Sequence, residues 1–151
     1  MNFKLIHEQT GQRTFAIIFD TGDEAVAGLE SFAREQQLAA SQFTAIGAFR
    51  EATLAYFDWD AKKYQEIPLR EQVEVLMLAG DVSQTKDGKP KVHAHVTVGK
   101  RDGTAHGGHL LRATVRPTLE VILTESPAHL RRTVHDASGL ALIDLNSSDC
   151  A

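Results

Sequence analysis

The chain contains 151 residues, of which 42% are hydrophobic and 24% are charged, and its net charge is −4 at neutral pH. This balance is typical of one soluble globular domain and argues against a nonspecific polyanion-binding protein, which normally carries a basic surface. The longest apolar run, Val75–Ala79, is too short to cross a bilayer, and the first residues lack the apolar segment of a signal peptide. The lone cysteine, Cys150, cannot form an internal disulfide, so we expect a cytoplasmic protein without a membrane partner.

The first elements in chain order are predicted to be two strands and one helix. Alternating apolar residues indicate strands at Asn2–Glu8 and Arg13–Phe19, joined by a turn. Thr21 and Glu24 then fit a capping box, which predicts that a helix begins there. Apolar residues continue at helical spacing, so the helix is predicted to run to about Gln37.

The rest of the chain is predicted to be mainly strands. The apolar run Val73–Val82 indicates a central strand covered on both sides, and the polar segment Pro127–Asp136 indicates a connection. Pro68 favours an edge position for the strand in which it lies. The other strands are predicted at Gln42–Gly47, Glu51–Trp59, Lys63–Leu69, Leu110–Val115, Leu119–Ser126 and Leu140–Leu145, in addition to the histidine-rich strand described next.

These elements predict an α+β fold: a curled, mainly antiparallel sheet of about eight or nine strands packed with one main α-helix. Residues 1–151 are expected to form one domain, with a core at about residues 5–145 and a frayed end at 146–151. One helix cannot cover both faces of so large a sheet, so we expect the chain to self-associate.

Four of the seven histidines lie in Lys91–Leu110. In the first half of this segment valines alternate with His93 and His95, which predicts a strand that presents both imidazoles on one face. Asp102-Gly103 then indicates a hairpin turn. If Arg101–Gly103 forms a three-residue loop, Lys100 pairs with Thr104, and His95 lies directly opposite His109.

Three neutral imidazoles that converge on one point are typical of a Zn²⁺ site, although other transition metals are compatible. His93, His95 and His109 are therefore the predicted ligands, and three protein ligands leave one position open. His106 is a spare residue near the loop. The alternative is that these histidines bind nothing and the protein is a structural scaffold. His7, His129 and His135 are expected on the surface.

The motifs of this segment resemble those of the PPC domain (plants and prokaryotes conserved domain, DUF296). They are His93-Ala94-His95, Gly107-Gly108-His109-Leu110 and Pro117–Val121, and upstream Ile46–Phe49 and Glu74–Gly80 also match in order. The resemblance covers about residues 5–145 and implies a homotrimer with a three-histidine metal site near the subunit interface. It also implies a DNA-associated, transcription-regulatory protein of the stand-alone prokaryotic type.

The sequence offers only weak support for DNA binding. The Arg-Gly-Arg-Pro hook that plant members of this family add for DNA contact does not occur here. Basic residues lie around the ends of the hairpin, where solvated turn residues are the simpler interpretation; they are Lys86, Lys89, Lys91, Lys100 and Arg101.

A second interpretation is a metal-dependent enzyme of the hydrolase or lyase type that acts on an unidentified small molecule. Such an enzyme needs a general base near the metal. The first candidate is Glu120, and the others are Glu74 and Asp81. For each of them the alternative interpretation is a carboxylate that faces a sheet edge or forms a salt bridge. Arg112 and Arg116 are candidates for binding an anionic substrate.

Overall fold

The computed structural model describes residues 1–147, which form nine strands and one helix. All strand pairs but one are antiparallel, and the strands join in one sheet, so the predicted α+β class is confirmed. Cys150 and most of the end that we expected to fray lie outside the described residues. The elements are β1 (Asn2–Gln9), β2 (Gln12–Asp20), α1 (Ala25–Glu35), β3 (Ala40–Asp58), β4 (Lys63–Leu69), β5 (Val73–Gln84), β6 (Pro90–Gly99), β7 (Ala105–Glu125), β8 (Arg131–Val134) and β9 (Ala141–Asp144).

Two long strands, β3 and β7, organise the sheet. They pair with each other along most of their length, and each changes its second neighbour midway. The other edge of β3 pairs first with β5 and then with β4, whereas the other edge of β7 pairs first with β6 and then with β2. Because β5 and β6 also pair, β3, β5, β6 and β7 close a ring. The sequence predicted two separate strands in place of each long strand.

Irregular pairing allows the long strands to bend. The register between β3 and β7 shifts on both sides of Phe49, and Gly47 has a φ of +148°. A Cβ at Gly47 would lie 2.3 Å from the carbonyl oxygen of Thr118. This position therefore requires glycine, because a side chain would collide with the backbone of β7.

Helix α1 begins later than the sequence predicted. Glu24, not Thr21, is the N-cap residue, and its Oε2 accepts a hydrogen bond of 2.6 Å from the amide of Ala27. The other oxygen of Glu24 accepts a bond of 2.8 Å from the amide of Ala113. One carboxylate thus caps the helix and attaches it to β7, which a capping-box pattern does not anticipate.

The hydrophobic core lies between α1 and the inner face of the curled sheet. Leu29 and Phe32 of the helix pack into it with Phe15, Ile17 and Phe19 of β2. The outer face of the sheet stays open in the single chain. Leu76 and Met77 of β5 are 53% and 49% exposed, so the prediction that this strand is covered on both sides is wrong for one subunit.

The predicted polar connection Pro127–Asp136 is also wrong in part, because it contains β8. This strand forms a hairpin with β9, called here the C-terminal hairpin (Arg131–Asp144). It continues the sheet through one parallel pairing, Gln84 with Arg131. The hydrophobicity pattern does not indicate this strand, because its buried residue, Arg132, is charged and therefore suggests an exposed segment. Within residues 1–147, no helix has the length and apolar character needed to cross a bilayer.

Candidate metal centre

The turn after β6 adopts the geometry that its sequence predicts. The amide of Lys100 donates a 2.8 Å hydrogen bond to the carbonyl oxygen of Thr104, and Gly103 has a left-handed φ of +82°. The three-residue loop sets the register of the hairpin, and His95 lies directly opposite His109. The predicted register is confirmed.

The three predicted ligands lie together. One ring nitrogen from each of His93, His95 and His109 lies within 4.8 Å of the other two, and the ring centroids are 5.2 to 5.4 Å apart. The valines of β6 are buried on the opposite face. His106 pairs with the buried Val98, so it belongs to that opposite face and not to the cluster.

His93 is oriented by a partly buried ion pair between Asp81 and Arg132. Its Nδ1 lies 3.4 Å from Oδ2 of Asp81, which faces it from β5. Nη2 of Arg132 donates to both carboxylate oxygens of Asp81, at 2.8 and 2.9 Å. Burial acts to raise the pKa of Asp81, but the hydrogen bonds from His93 and Arg132 outweigh it and the pKa is lowered. Nδ1 of His93 also lies 3.3 Å from Nη2 of Arg132, so both neighbours of this nitrogen belong to the ion pair. Nε2 is therefore the His93 nitrogen left to bind a metal, and a ligating histidine whose other nitrogen contacts a carboxylate is the usual arrangement.

His109 is held neutral by its surroundings. Its ring stacks on Tyr64 of β4, with centroids 4.8 Å apart and planes inclined by 25°. Burial, followed by the charges of His93 and His95, lowers the pKa of His109 to about 4. Burial and the neighbouring His93 also lower the pKa of His95. Neutral imidazoles have a free lone pair at neutral pH, as metal ligation requires.

One polar atom supports the fit of a metal directly. Nδ1 of His109 is buried, and it has no hydrogen-bond partner among residues 1–147. An unsatisfied buried nitrogen is costly unless something binds it. Together with the convergent donor atoms, this nitrogen fits a borderline-soft cation of the zinc type.

Gly108 brings β7 close to β3 beside His109. A Cβ at this position would lie 2.8 Å from the carbonyl oxygen of Ala55. At Gly107 the nearest atom, the carbonyl oxygen of Val96, would be 3.4 Å away, an ordinary contact. Only the second glycine of the pair is therefore required by packing.

A cavity of about 580 Å³ opens beside the cluster, and all three histidines line it. Phe57 and Tyr64 form part of its wall, and Leu140 and Leu142 of the C-terminal hairpin form another part. Pockets of this size and apolar character are typical of small-molecule sites.

The proposed general bases are not gathered at this cavity. Glu120 is exposed on the outer face of β7, between Ile18 and Ile46. It lies two residues along β7 from Ile122, which is itself separated from His95 by β3 and β5. Glu74 is exposed opposite Gly99. Asp81 is close to the cluster but is ion-paired, as the alternative interpretation of this residue anticipated.

The arginines and lysines singled out in the sequence mostly have acidic or amide partners. Arg112 pairs with Glu66 at 3.0 Å, and Arg116 donates to Gln72. Three of the five basic residues near the hairpin form ion pairs with acidic side chains, which reduces their positive potential. These pairs are Lys89–Asp87, Lys91–Glu30 and Lys100–Glu71.

Sequence reasoning missed two residues of the site, Arg132 and Tyr64. Both contact histidines that are distant from them in the chain. The spacing of residues around the histidines therefore does not indicate that they belong to the site. The available signal for Arg132 was the short alternation in Arg131–Val134, which is compatible with a strand.

The sequence matches the Plants and Prokaryotes Conserved (PCC) domain over residues 6–127. A plant- and prokaryote-conserved (PPC) protein from Pyrococcus horikoshii has a TM-score of 0.82 and 30% identity, covering 95% of this chain and 94% of that chain. A candidate DNA-binding protein from Bacteroides thetaiotaomicron has a TM-score of 0.82 and 27% identity, covering 94% and 96%. A metal-containing protein from Archaeoglobus fulgidus has a TM-score of 0.81 and 35% identity, covering 95% and 98%.

Curated proteins matched by the chain are much longer. The bifunctional protein GlmU of Synechococcus sp. (strain JA-3-3Ab) is 33% identical over 116 residues, which are 76% of this chain and 17% of that protein. The chain thus spans about a sixth of the length of the curated relatives it matches. The resemblance drawn from the motifs of the histidine segment is confirmed by the domain match and the solved structures.

Proposed function

This chain belongs to the Plants and Prokaryotes Conserved (PCC) domain family, and on that premise we propose that it is a homotrimeric metal-binding protein with a zinc-type site. The observation that carries the proposal is the convergence of three imidazole nitrogens, within 4.8 Å of one another, on two neighbouring strands. The existence of a metal-containing relative at 35% identity supports it.

His93, His95 and His109 would hold the ion. Bound by three protein ligands, zinc keeps a position for water or an anion and acts as a Lewis acid. Asp81 orients His93, and the stack with Tyr64 fixes the plane of His109. These contacts pre-organise the rings, because each of the two is held by a partner from another strand.

Self-association is supported by the open outer face of the sheet. Ile122 is 49% exposed on this face. Residues that pair directly across neighbouring strands connect Ile122 with the cluster; in order they are Thr44, Ala79, His95 and His109. Directly paired residues share a face, so the metal ligands and the exposed apolar residues lie on one continuous surface. A trimer that buries this surface would bring the subunit interface close to the cluster.

The proposal has a second part, association with DNA and a role in transcription, which comes from relatives. Two of the related structures are named as candidate DNA-binding proteins. The net charge of −4 and the paired lysines around the hairpin favour weak binding at most. Retardation of a random duplex at low salt, lost as salt rises, would be the expected signature.

The alternative of a hydrolase or lyase is favoured by one observation, the cavity of about 580 Å³ beside the open coordination position. Among residues 1–147, however, no aspartate or glutamate lines this cavity. A reaction there would therefore proceed without a carboxylate of the cavity wall as general base.

The experiment is zinc titration of tag-free, metal-stripped protein by calorimetry, with metal analysis after dialysis. We expect one ion per chain, and its loss in His95→Ala. The matched control is His106→Ala, because His106 lies on the opposite face of the same hairpin. Equal zinc content in wild type and His95→Ala would refute the proposal.

A further inference from the structure

The cavity beside the histidines has one polar end and a largely apolar body. The polar end is the cluster itself. The body is formed by Phe57 and Tyr64 on one side and by Leu140 and Leu142 on another. A ligand that fills it must therefore combine a metal-binding group with an apolar remainder.

The charges around the cavity determine the sign of that metal-binding group. The guanidinium of Arg132 is neutralised by Asp81, and the ammonium of Lys91 is paired with Glu30 at 2.9 Å. No carboxylate lines the cavity among the described residues, and the three imidazoles are neutral ligands. A divalent ion at the cluster would be the uncompensated charge, and it would favour an anion.

Resting on the proposed metal site, we propose that the cavity binds a small monocarboxylate with an apolar aliphatic or aromatic body. The carboxylate takes the coordination position that the histidines leave open. The body lies between the Phe57–Tyr64 wall and the leucines of the C-terminal hairpin. Burial of an apolar chain adds affinity in proportion to its length.

The part of the cavity wall formed by the C-terminal hairpin limits the length of the apolar group that the cavity can hold. Leu140, Ala141 and Leu142 follow residue 127, where the match to the family ends. The hairpin is attached to β5 through one backbone pairing and through Arg132, whose Nη1 also donates to the carbonyl oxygen of Ala141 at 2.8 Å. Arg132 thus positions this wall relative to the histidines.

The test uses zinc-loaded full-length protein, whose metal content is measured first, and calorimetric titration with acetate, butyrate, hexanoate and hexanol. We expect affinity to rise about fourfold for each added methylene along the carboxylate series. Hexanol should bind at least tenfold more weakly than hexanoate. Affinity that is equal for acetate and hexanoate, or for hexanol and hexanoate, overturns the inference.

Leu142→Ser tests the wall. It should reduce hexanoate affinity about tenfold and leave acetate affinity unchanged, whereas Leu145→Ser should change neither, because Leu145 is 84% exposed and does not line the cavity. Equal effects of the two substitutions would overturn the assignment of the wall. Protein that takes up no zinc at the histidines would refute the proposed function as well, and zinc-loaded protein without chain-length dependence would refute only the ligand class.

Discussion

Arg132 binds both carboxylate oxygens of Asp81 through one nitrogen, at 2.8 and 2.9 Å. This ion pair joins the C-terminal hairpin to β5 at the point where Asp81 also contacts His93. Nε of Arg132 donates to Ser83 at 2.7 Å, so the guanidinium is held on several sides. One partly buried network therefore serves two purposes: it attaches the hairpin, and it orients a predicted metal ligand.

The first prediction concerns Asp81→Asn. We expect zinc affinity to fall 10- to 100-fold, because the amide no longer fixes His93 as a carboxylate does. We also expect the free energy of unfolding to fall by about 3 kcal/mol, because Arg132 is left as a buried unpaired charge. Calorimetry and denaturant unfolding measure the two effects. Asp60→Asn, at an exposed turn, is the control; if both variants behave alike, the network has no such role.

The second prediction compares adjacent glycines. Gly108→Ala should lower the free energy of unfolding by about 2 kcal/mol and weaken zinc binding, since its Cβ would meet the backbone oxygen of Ala55 and displace His109. Gly107→Ala should be neutral or slightly stabilising, because space is available. Thermal unfolding with and without zinc measures both. A more damaging Gly107→Ala would contradict the packing described.

The third prediction concerns Glu125, which is buried at the end of β7. It accepts hydrogen bonds from the amides of Ala39 and Ala40 and from the hydroxyl of Ser41. Glu125→Ala should cost about 3 kcal/mol of stability, because these buried donors lose their acceptor. Denaturant unfolding should show no comparable loss for the exposed Glu8→Ala. A cost below about 0.5 kcal/mol would show that water replaces the carboxylate.

The fourth prediction concerns the outer sheet face. Ile122→Lys should convert the proposed trimer into monomers, since a charge would be buried between subunits. Val134→Lys, at a 61% exposed position of β8, should leave assembly intact. Sedimentation velocity distinguishes the species. A wild type that sediments as a monomer, or an Ile122→Lys trimer, would exclude this face as the interface.

Local signals predicted the histidine hairpin well. The Asp-Gly turn and the strict alternation around His93 and His95 fix both register and face, because a two-residue period leaves little freedom once a loop length is chosen. The strand patterns and the single helix likewise predicted the α+β class, and the family motifs agreed with it. These features depend on neighbours along the chain, which a sequence reports directly.

Features that depend on distant contacts were not predicted. Tyr64 reaches His109 from another strand. The polar residues around Arg132 predict a loop, because its partner Asp81 is 51 residues away and the local sequence does not indicate that the arginine is buried. The apolar run in β5 predicts a strand covered on both faces, but Leu76 and Met77 are exposed to solvent in the single chain. An apolar pattern predicts that a face of the strand is buried. It does not distinguish burial within the same chain from burial against another copy of the chain.

The central claim is that one hairpin gathers three imidazoles around a metal ion. Its most direct test is a crystal structure of zinc-saturated protein with anomalous data collected on both sides of the zinc absorption edge. We predict one anomalous peak per chain between the rings of His93, His95 and His109, with Zn–N distances of about 2.0–2.1 Å. Zinc-saturated crystals in which no peak lies between these rings, or in which the rings turn away from one another, would contradict it.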